Sequence, residues 1–342
     1  MELAIIGLPG SGRSTLFEAA TAGRGEAVGL PWRVGVAHVP DPRLHTLQGL
    51  FHPRKTVPAE LRFVDVSPQP REWRGDILSN TGNVDAFILM VRAFADERVP
   101  HPEGSVDPYR DLAALEWELV FADLALLERR LERIEEQSHK VKPLEREALL
   151  KEQSLLSRLR AGLEKEMPLR EQAVSHEEAR LLQGFSLLSS KPLLVVANIE
   201  EADLSRAAQV EAGWRERYRR PGHQFLALSA KLEMELSQLP PEEAAQFRAA
   251  LGAPEPAMSR LVPLVYDLLG LVTFFTTASA ELRAWPVPRD TPAQRAAGRI
   301  HSDMERGFIR AEVVALADLV RVGGVAEARR HGLLRLEGKP YP

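Results

Sequence analysis

Nine residues near the start, Gly7-Leu-Pro-Gly-Ser-Gly-Arg-Ser-Thr15, constrain this chain more than any other stretch. They follow Leu3-Ala-Ile-Ile6, an apolar run of strand character, and lead into Thr15-Leu-Phe-Glu-Ala-Ala20, which reads as a helix start. Strand, glycine loop and helix in that order is the setting of a phosphate-binding loop. Gly7 and Gly12 keep the spacing of G-x-x-x-x-G-K-[S/T]. The loop through Pro9, Gly10 and Ser11 can therefore curl its backbone N–H groups around a phosphate at the positive end of the helix. Ser14 stands where a hydroxyl would bind Mg²⁺, and Thr15 closes the motif. The lysine position holds Arg13. A glycine-rich turn with no ligand is the competing reading, but the strand and helix on either side favour nucleotide binding. Arg13 puts turnover in question.

At 342 residues the chain can bury one large core or two to three modest ones. Its formal charge of −4 gives no global pull towards nucleic acid, so any basic surface must be local. The absence of cysteine excludes disulfides, thiolate zinc sites and cysteine catalysis. The N-terminus enters the first strand directly, and no stretch approaches the roughly 18–20 apolar residues of a membrane span. A cytoplasmic protein without membrane contact is expected.

Further strands are expected at Val34-Gly-Val-Ala-His-Val39, Leu61-Arg-Phe-Val-Asp-Val66 and Ala86-Phe-Ile-Leu-Met-Val91. Asp65 closes the second of these. Ligands of open α/β sheets gather at the carboxyl ends of strands, so Asp65 reads either as a carboxylate on the Mg²⁺ side or as a turn residue. His101 lies in a polar loop over 92–107, where a lone histidine is ordinarily just solvated.

From 111 to about 182 the periodicity becomes helical. Leu112, Leu115, Leu119, Ala122 and Leu126 keep three-four spacing, and Leu149, Leu156 and Leu163 recur at seven around Leu159. His139-Lys-Val-Lys-Pro143 breaks the run, with Pro143 placed to open the next helix. Ser175-His-Glu-Glu178 reads as a capping box, and the charge runs as solvated faces. A helical arm inserted into a sheet domain accounts for all of this.

Strand character returns at Lys191-Pro-Leu-Leu-Val-Val-Ala-Asn198 and at Phe225-Leu-Ala-Leu-Ser-Ala-Lys231. Asn198 with Glu201, then Ser229, Ala230 and Lys231, stand in the order of the base-reading loops of P-loop GTPases. Two more strands, at 272–277 and 282–287, begin a small third unit. From Glu281 onward eleven Arg or Lys face eight Asp or Glu, which permits contact with RNA phosphates.

These residues together resemble the Obg-like ATPase family, the YchF group of translation-factor P-loop NTPases. The resemblance rests on Gly7-Leu-Pro9, Val39-Pro-Asp-Pro-Arg-Leu44, Phe63-Val-Asp65, Gly104-Ser-Val-Asp-Pro108, Lys191-Pro192 and Ala197-Asn198. It extends through Ser229-Ala-Lys-Leu-Glu233, Arg283-Ala-Trp285, Ala297-Gly-Arg-Ile-His-Ser-Asp303, Glu305-Arg-Gly-Phe-Ile-Arg-Ala-Glu-Val313 and Glu337-Gly-Lys339. It implies an α/β fold: a Ras-like sheet domain over 1–110 and 185–270, a coiled-coil arm over 111–184, and a TGS-like (β-grasp) domain over 271–342. That last domain is expected to be shortened, because the family continues beyond the position of Tyr341-Pro342.

The resemblance also implies function, position by position. Asn198 and Glu201 match an N-x-x-E that replaces the guanine-reading N-K-x-D, and Ile199 lacks the lysine that packs over the base. ATP is therefore expected over GTP, with Mg²⁺ accompanying ATP or ADP through Ser14 and Asp65. His101 matches the loop histidine that positions the attacking water, which makes it the candidate catalytic residue. The departures surround the γ-phosphate. Arg13 replaces a compact ammonium, Pro68 replaces a backbone donor, Gln69-Pro-Arg-Glu-Trp73 rewrites a glycine-rich segment, and Gly29-Leu-Pro-Trp-Arg-Val-Gly-Val36 lacks the threonine-bearing part of the first switch. Two readings follow. One is a monomeric, weak ATPase acting on the ribosome or RNA through its C-terminal domain. The other is a nucleotide-dependent adaptor that no longer hydrolyses and binds partners through arm and TGS-like domain.

Overall fold

The computed structural model describes residues 1–27, 32–66, 81, 83–138, 140–252, 255–277 and 280–342. Pro68, the 69–73 segment and residues 29–31 of the first switch lie outside these. The chain opens with β1 (Glu2–Gly7), α1 (Arg13–Thr21), β2 (Glu26–Ala27) and β3 (Trp32–His38). Then come α2 (Pro42–Phe51), β4 (Lys55–Val57), β5 (Glu60–Val66) and β6 (Ala86–Ala93). Helices α3 (Pro108–Ser138), α4 (Pro143–Leu163) and α5 (His176–Leu182) precede β7 (Leu193–Ile199), α6 (Ala207–Arg217) and β8 (His223–Leu228). After α7 (Ala230–Leu236), α8 (Pro241–Ala250) and α9 (Ala257–Leu268), the chain forms β9 (Leu271–Thr276) and β10 (Glu281–Pro288). It ends with α10 (Ala293–Ile300), α11 (Ser302–Arg306), β11 (Ala311–Val313), α12 (Leu316–Val322), α13 (Val325–Arg330) and β12 (Arg335–Glu337). Among the described residues no helix is long and apolar enough to cross a membrane.

The chain divides into two compact units. The first comprises Met1–Ala37 and Arg62–Leu264. Its sheet runs β2-β3-β5-β1-β6-β7-β8. β1 pairs in parallel with β5 and β6, β6 with β7, and β7 with β8. The inner strands are buried on both faces, which is why they read as unbroken apolar runs rather than alternating ones. Parallel pairing also sends the carboxyl ends of β5, β1, β6, β7 and β8 to one edge, while β2 pairs antiparallel with β3. Gly7 lies opposite Met90, Ile5 opposite Asp65, Arg92 opposite Asn198, and Asn198 opposite Leu228. The sequence order changes side at β1, the position where a crevice opens in such sheets.

Helices α3 and α4 form the arm. α3 alone, with 31 residues, extends roughly 46 Å at 1.5 Å per residue. Leu127, Ile134, Leu156, Leu159 and Leu163 are fully buried along it, and Arg130 donates to both oxygens of Glu152 at 2.7 and 2.8 Å. Pro143 is the first residue of α4, and the Ser175–Glu178 capping box is present in both halves. At the root, Asp123 accepts from Leu188 N, Ser189 N and Ser189 Oγ at 2.6–2.8 Å, fixing the return of the chain into the sheet. Burial pushes the Asp123 carboxyl up to about 6, against the pull of these donors. Nearby Glu116 accepts from His223 Nε2 at 2.8 Å and from Arg170. Burial works to raise the Glu116 carboxyl, but the His223 bond and the Arg170 charge outweigh it and hold it below the ordinary value.

The second unit comprises His38–Leu61 and Val265–Pro342. Its three-stranded sheet, β4-β10-β9, pairs β10 with β9 antiparallel and with β4 in parallel. A separate antiparallel pair joins β11 to β12. Leu282 and Ala284 are buried in β10 between more exposed neighbours, as expected for a sheet covered on one face, and Val287 is buried near its end.

Candidate nucleotide site

The glycine loop is built by two residues that tolerate no side chain. A Cβ on Gly7 would run into the Met90 carbonyl oxygen. At Gly12 the backbone is left-handed (φ +97°), and a Cβ there would meet the side-chain amide of Asn198. Between them Leu8, Pro9, Gly10 and Ser11 turn tightly, closed by Ser11 N–H donating to Leu8 O at 3.1 Å. Gly12 caps α1 without a side-chain acceptor, so the N–H groups of Arg13, Ser14 and Thr15 in the first turn keep their capacity for an anion.

Ser14 Oγ donates to Asp65 Oδ2 at 2.9 Å. Asp65 is completely buried, and its second oxygen, Oδ1, has no hydrogen-bond partner among the described residues. Ser11 Oγ is likewise buried and unpartnered. Orphaned buried oxygens are costly, and a hydroxyl beside a carboxylate is the donor set a hard divalent cation takes with a phosphate. The residues present therefore fit Mg²⁺ brought in by a nucleotide. Among the described residues no cluster of three or more His, Asp or Glu offers a site for a metal without one.

Arg13 takes a direction that the motif alone does not specify. Its Nη1 donates to the carbonyl of Val66, at the end of β5. Burial lowers its pKa from the ordinary arginine value, while the charge of Asp65 works against that shift.

On the other side of β1, Asn198 ties two loops together. Its Nδ2 donates to Ser11 O at 2.9 Å, and its Oδ1 accepts from Ala230 N at 3.0 Å. The glycine loop and the Ser229-Ala230-Lys231 turn are thus held by one buried amide. Ser229 caps α7 by accepting from Leu232 N, and Lys231 Nζ lies 3.8 Å from Glu201 Oε1. These residues line an open cleft of about 630 Å³, together with Phe94. Ile199 is also on the cleft wall but is only 4% exposed and packs into the core of the sheet, so the cleft meets an apolar, largely buried residue at that position.

Sequence reasoning missed the arginine that shapes the cleft's opposite wall. Arg92 is buried at the end of β6 and donates to three carbonyls, Phe94 O at 3.1 Å, Asp96 O at 3.0 Å and Val99 O at 2.8 Å. Its guanidinium also lies 4.6 Å from the Phe94 ring centre. A cation ending an otherwise apolar strand was the available signal.

The same loop leads to His101, which is not the solvated loop histidine that its sequence surroundings alone suggest. Its side chain is 4% exposed. Nδ1 accepts from Glu103 N–H at 3.2 Å, which places the ring proton on Nε2, and Nε2 donates to Asp111 Oδ2 at 2.9 Å. Asp111 is held in turn by Arg110, at 2.8 and 3.1 Å. Both ring nitrogens are occupied in this arrangement.

Comparison with known proteins decides the kinship. The chain is 39% identical over 350 residues to a ribosome-binding ATPase YchF of Bacillus subtilis, covering 98% of this chain and 94% of that one. It belongs to the YchF/Obg-like ATPase family. A second member, Obg-like ATPase 1 of Caenorhabditis elegans, is 31% identical and matches the whole of this chain and 89% of its own. The YchF GTPase structure from Schizosaccharomyces pombe superposes with a TM-score of 0.84 at 28% identity, covering 100% of this chain and 94% of that one. Residues 271–342 match the family model YchF-GTPase_C, described as a protein of unknown function. The α/β fold with its long helical arm and YchF-type C-terminal region is therefore that of the family, and the fold is that of a P-loop NTPase.

Proposed function

We propose that this chain binds ADP and ATP, in preference to guanine nucleotides, with Mg²⁺ held by Ser14 and Asp65. One observation carries the reading: the Asn198 side chain bonds the glycine loop at Ser11 and the base-side loop at Ala230. Phosphate end and base cleft are thereby fixed at one sheet edge, as a nucleotide requires. Glu201 sets its carboxylate one methylene further out than the aspartate that accepts from guanine, and Ile199 is turned inward, so guanine preference should fall. Gly7, Pro9, Gly10, Ser11 and Gly12 are assigned to the phosphate loop, and Ser229, Ala230 and Lys231 to the base side.

ATP hydrolysis by the isolated chain is weak in this reading. Arg13 is committed to Val66 O, and His101, assigned to position water, has both nitrogens engaged. Phosphoryl transfer depends on groups placed around the γ-phosphate, and each missing donor there costs about a hundredfold to a thousandfold in rate. Relatives that carry ribosome-binding in their names support a ribosomal partner for this cytoplasmic, monomeric chain. The excess of Arg and Lys after Glu281 suits its C-terminal domain to that contact. In the domain assignment the NTPase part is 1–110 with 185–270, the arm 111–184, and the TGS-like domain 271–342. Phosphate release from ATP, measured with and without ribosomes, tests this: an ordinary NTPase rate in the isolated chain would refute weak hydrolysis. The alternative, an adaptor that binds nucleotide but never turns it over, rests on the engagement of His101 and requires that ribosomes raise no phosphate release.

A further inference from the structure

The carboxylate assigned to the metal side already has a cation beside it. Arg33, on β3, brings Nη1 to 4.0 Å from Asp65 Oδ2, the oxygen that also accepts from Ser14. Arg33 is anchored there. Its Nη2 donates to Glu18, and its guanidinium lies 4.7 Å over the ring of Phe17, both on α1 within a turn or so of Ser14. Among the described residues, Nε and Nη1 have no acceptor at hydrogen-bonding distance. The side chain is 32% exposed, so it stands at the rim of the site while Asp65 is sealed beneath it. Arg13 places a second guanidinium charge near the same carboxylate.

A nucleoside diphosphate brings several negative charges to the first turn of α1. P-loop proteins neutralise these with a lysine and with a divalent ion held between the Ser/Thr hydroxyl and a carboxylate. In this chain Asp65 has a guanidinium beside it as well, so a divalent ion held by Ser14 and Asp65 shares the charge of that carboxylate with Arg33. A guanidinium keeps its charge at any pH the protein meets and offers planar donors suited to phosphate oxygens. Glu18 holds the group in place but engages only one of its nitrogens.

We propose that Arg33 supplies part of the positive charge a divalent cation brings to the diphosphate, so that this chain binds adenine nucleotide with little dependence on Mg²⁺. The inference rests on the nucleotide-binding reading above. It concerns the chain's own residues, and it is read out by binding rather than turnover.

The test is calorimetric titration of ADP into the full chain, in excess MgCl₂ and in EDTA. A charge-assisted hydrogen bond is worth about tenfold in affinity or more. Wild-type affinity should therefore fall less than about tenfold on removal of the metal. Arg33→Ala should lose about tenfold in EDTA and distinctly less in MgCl₂, and Arg33→Lys should recover part of the loss. A tenfold or greater fall of the wild type in EDTA overturns the proposal while leaving nucleotide binding intact. So does an equal loss for Arg33→Ala in both buffers. Absence of ADP binding in both buffers refutes the nucleotide-binding reading and this proposal with it. Because the wild-type comparison needs no variant, the proposal stays open to refutation even if Arg33→Ala folds poorly.

Discussion

Gly12 shows how little freedom the site leaves a single residue. Its φ of +97° is unfavourable for any side chain, and the first atom of one would displace the Asn198 amide. Gly12→Ala is expected to abolish detectable ADP binding in calorimetry while the chain still unfolds cooperatively. Retained wild-type affinity would mean that the loop does not hold the phosphate. Glu201 gives the second prediction at this scale. Its side chain is half-buried at the cleft and bonded only loosely to Lys231, so shortening it disturbs little packing. Glu201→Asp should narrow the gap between ADP and GDP affinities, as read by parallel titrations. The companion change Ile199→Lys is unsuitable, because that side chain lies in the core and a lysine there would carry a large desolvation cost. An unaltered ADP-to-GDP ratio in Glu201→Asp would remove Glu201 from base selection.

At the scale of elements, local periodicity was the most legible part of the sequence. The buried strands read as apolar runs, and α3 and α4 could be placed from leucine spacing, Pro143 and the Ser175 cap. Long-range pairing was not legible. Nothing in Lys55-Thr-Val57 indicates that it lies beside Glu281–Arg283, more than two hundred positions away, because three residues carry too little pattern to specify a partner. The site divides the same way. Gly7 to Thr15 follows from a motif, whereas the direction of Arg13, the anchoring of Arg33 and the engagement of His101 by Asp111 depend on side chains that meet only after folding. The arm root supplies a pH prediction. The Asp123 carboxyl, ordinarily near 3.8, is raised by burial to about 6 in the folded chain. A group raised in this way favours folding when protonated, so its contribution is complete below about pH 4 and is lost as pH rises through about 6. The loss amounts to roughly 3 kcal/mol, at 1.36 kcal/mol per pH unit. In urea unfolding followed by tryptophan fluorescence, the stability of the wild type relative to Asp123→Asn should fall by about that much between pH 4 and pH 7. Parallel profiles for the two proteins would show that Asp123 is not the titrating group.

For the whole molecule, the parallel sheet matters because it delivers Gly7, Asp65, Arg92, Asn198 and Ser229 to one edge from five separate strands. The arm has its own buried residues, Leu127, Ile134, Leu156 and Leu159 among them, and Asp111 at its start engages His101. Nucleotide affinity should therefore depend on the first unit's loops, with hydrolysis a separate and weaker property set by Arg13 and His101. The most direct measurement is calorimetric titration of the intact protein with ADP and with GDP, with Asn198→Ala as the control. ADP is expected to bind more tightly than GDP, and Asn198→Ala, which unties the glycine loop from the base loop, is expected to lose most of that affinity. Equal binding of ADP and GDP, or undiminished ADP binding by Asn198→Ala, would contradict an adenine-nucleotide site built around Asn198.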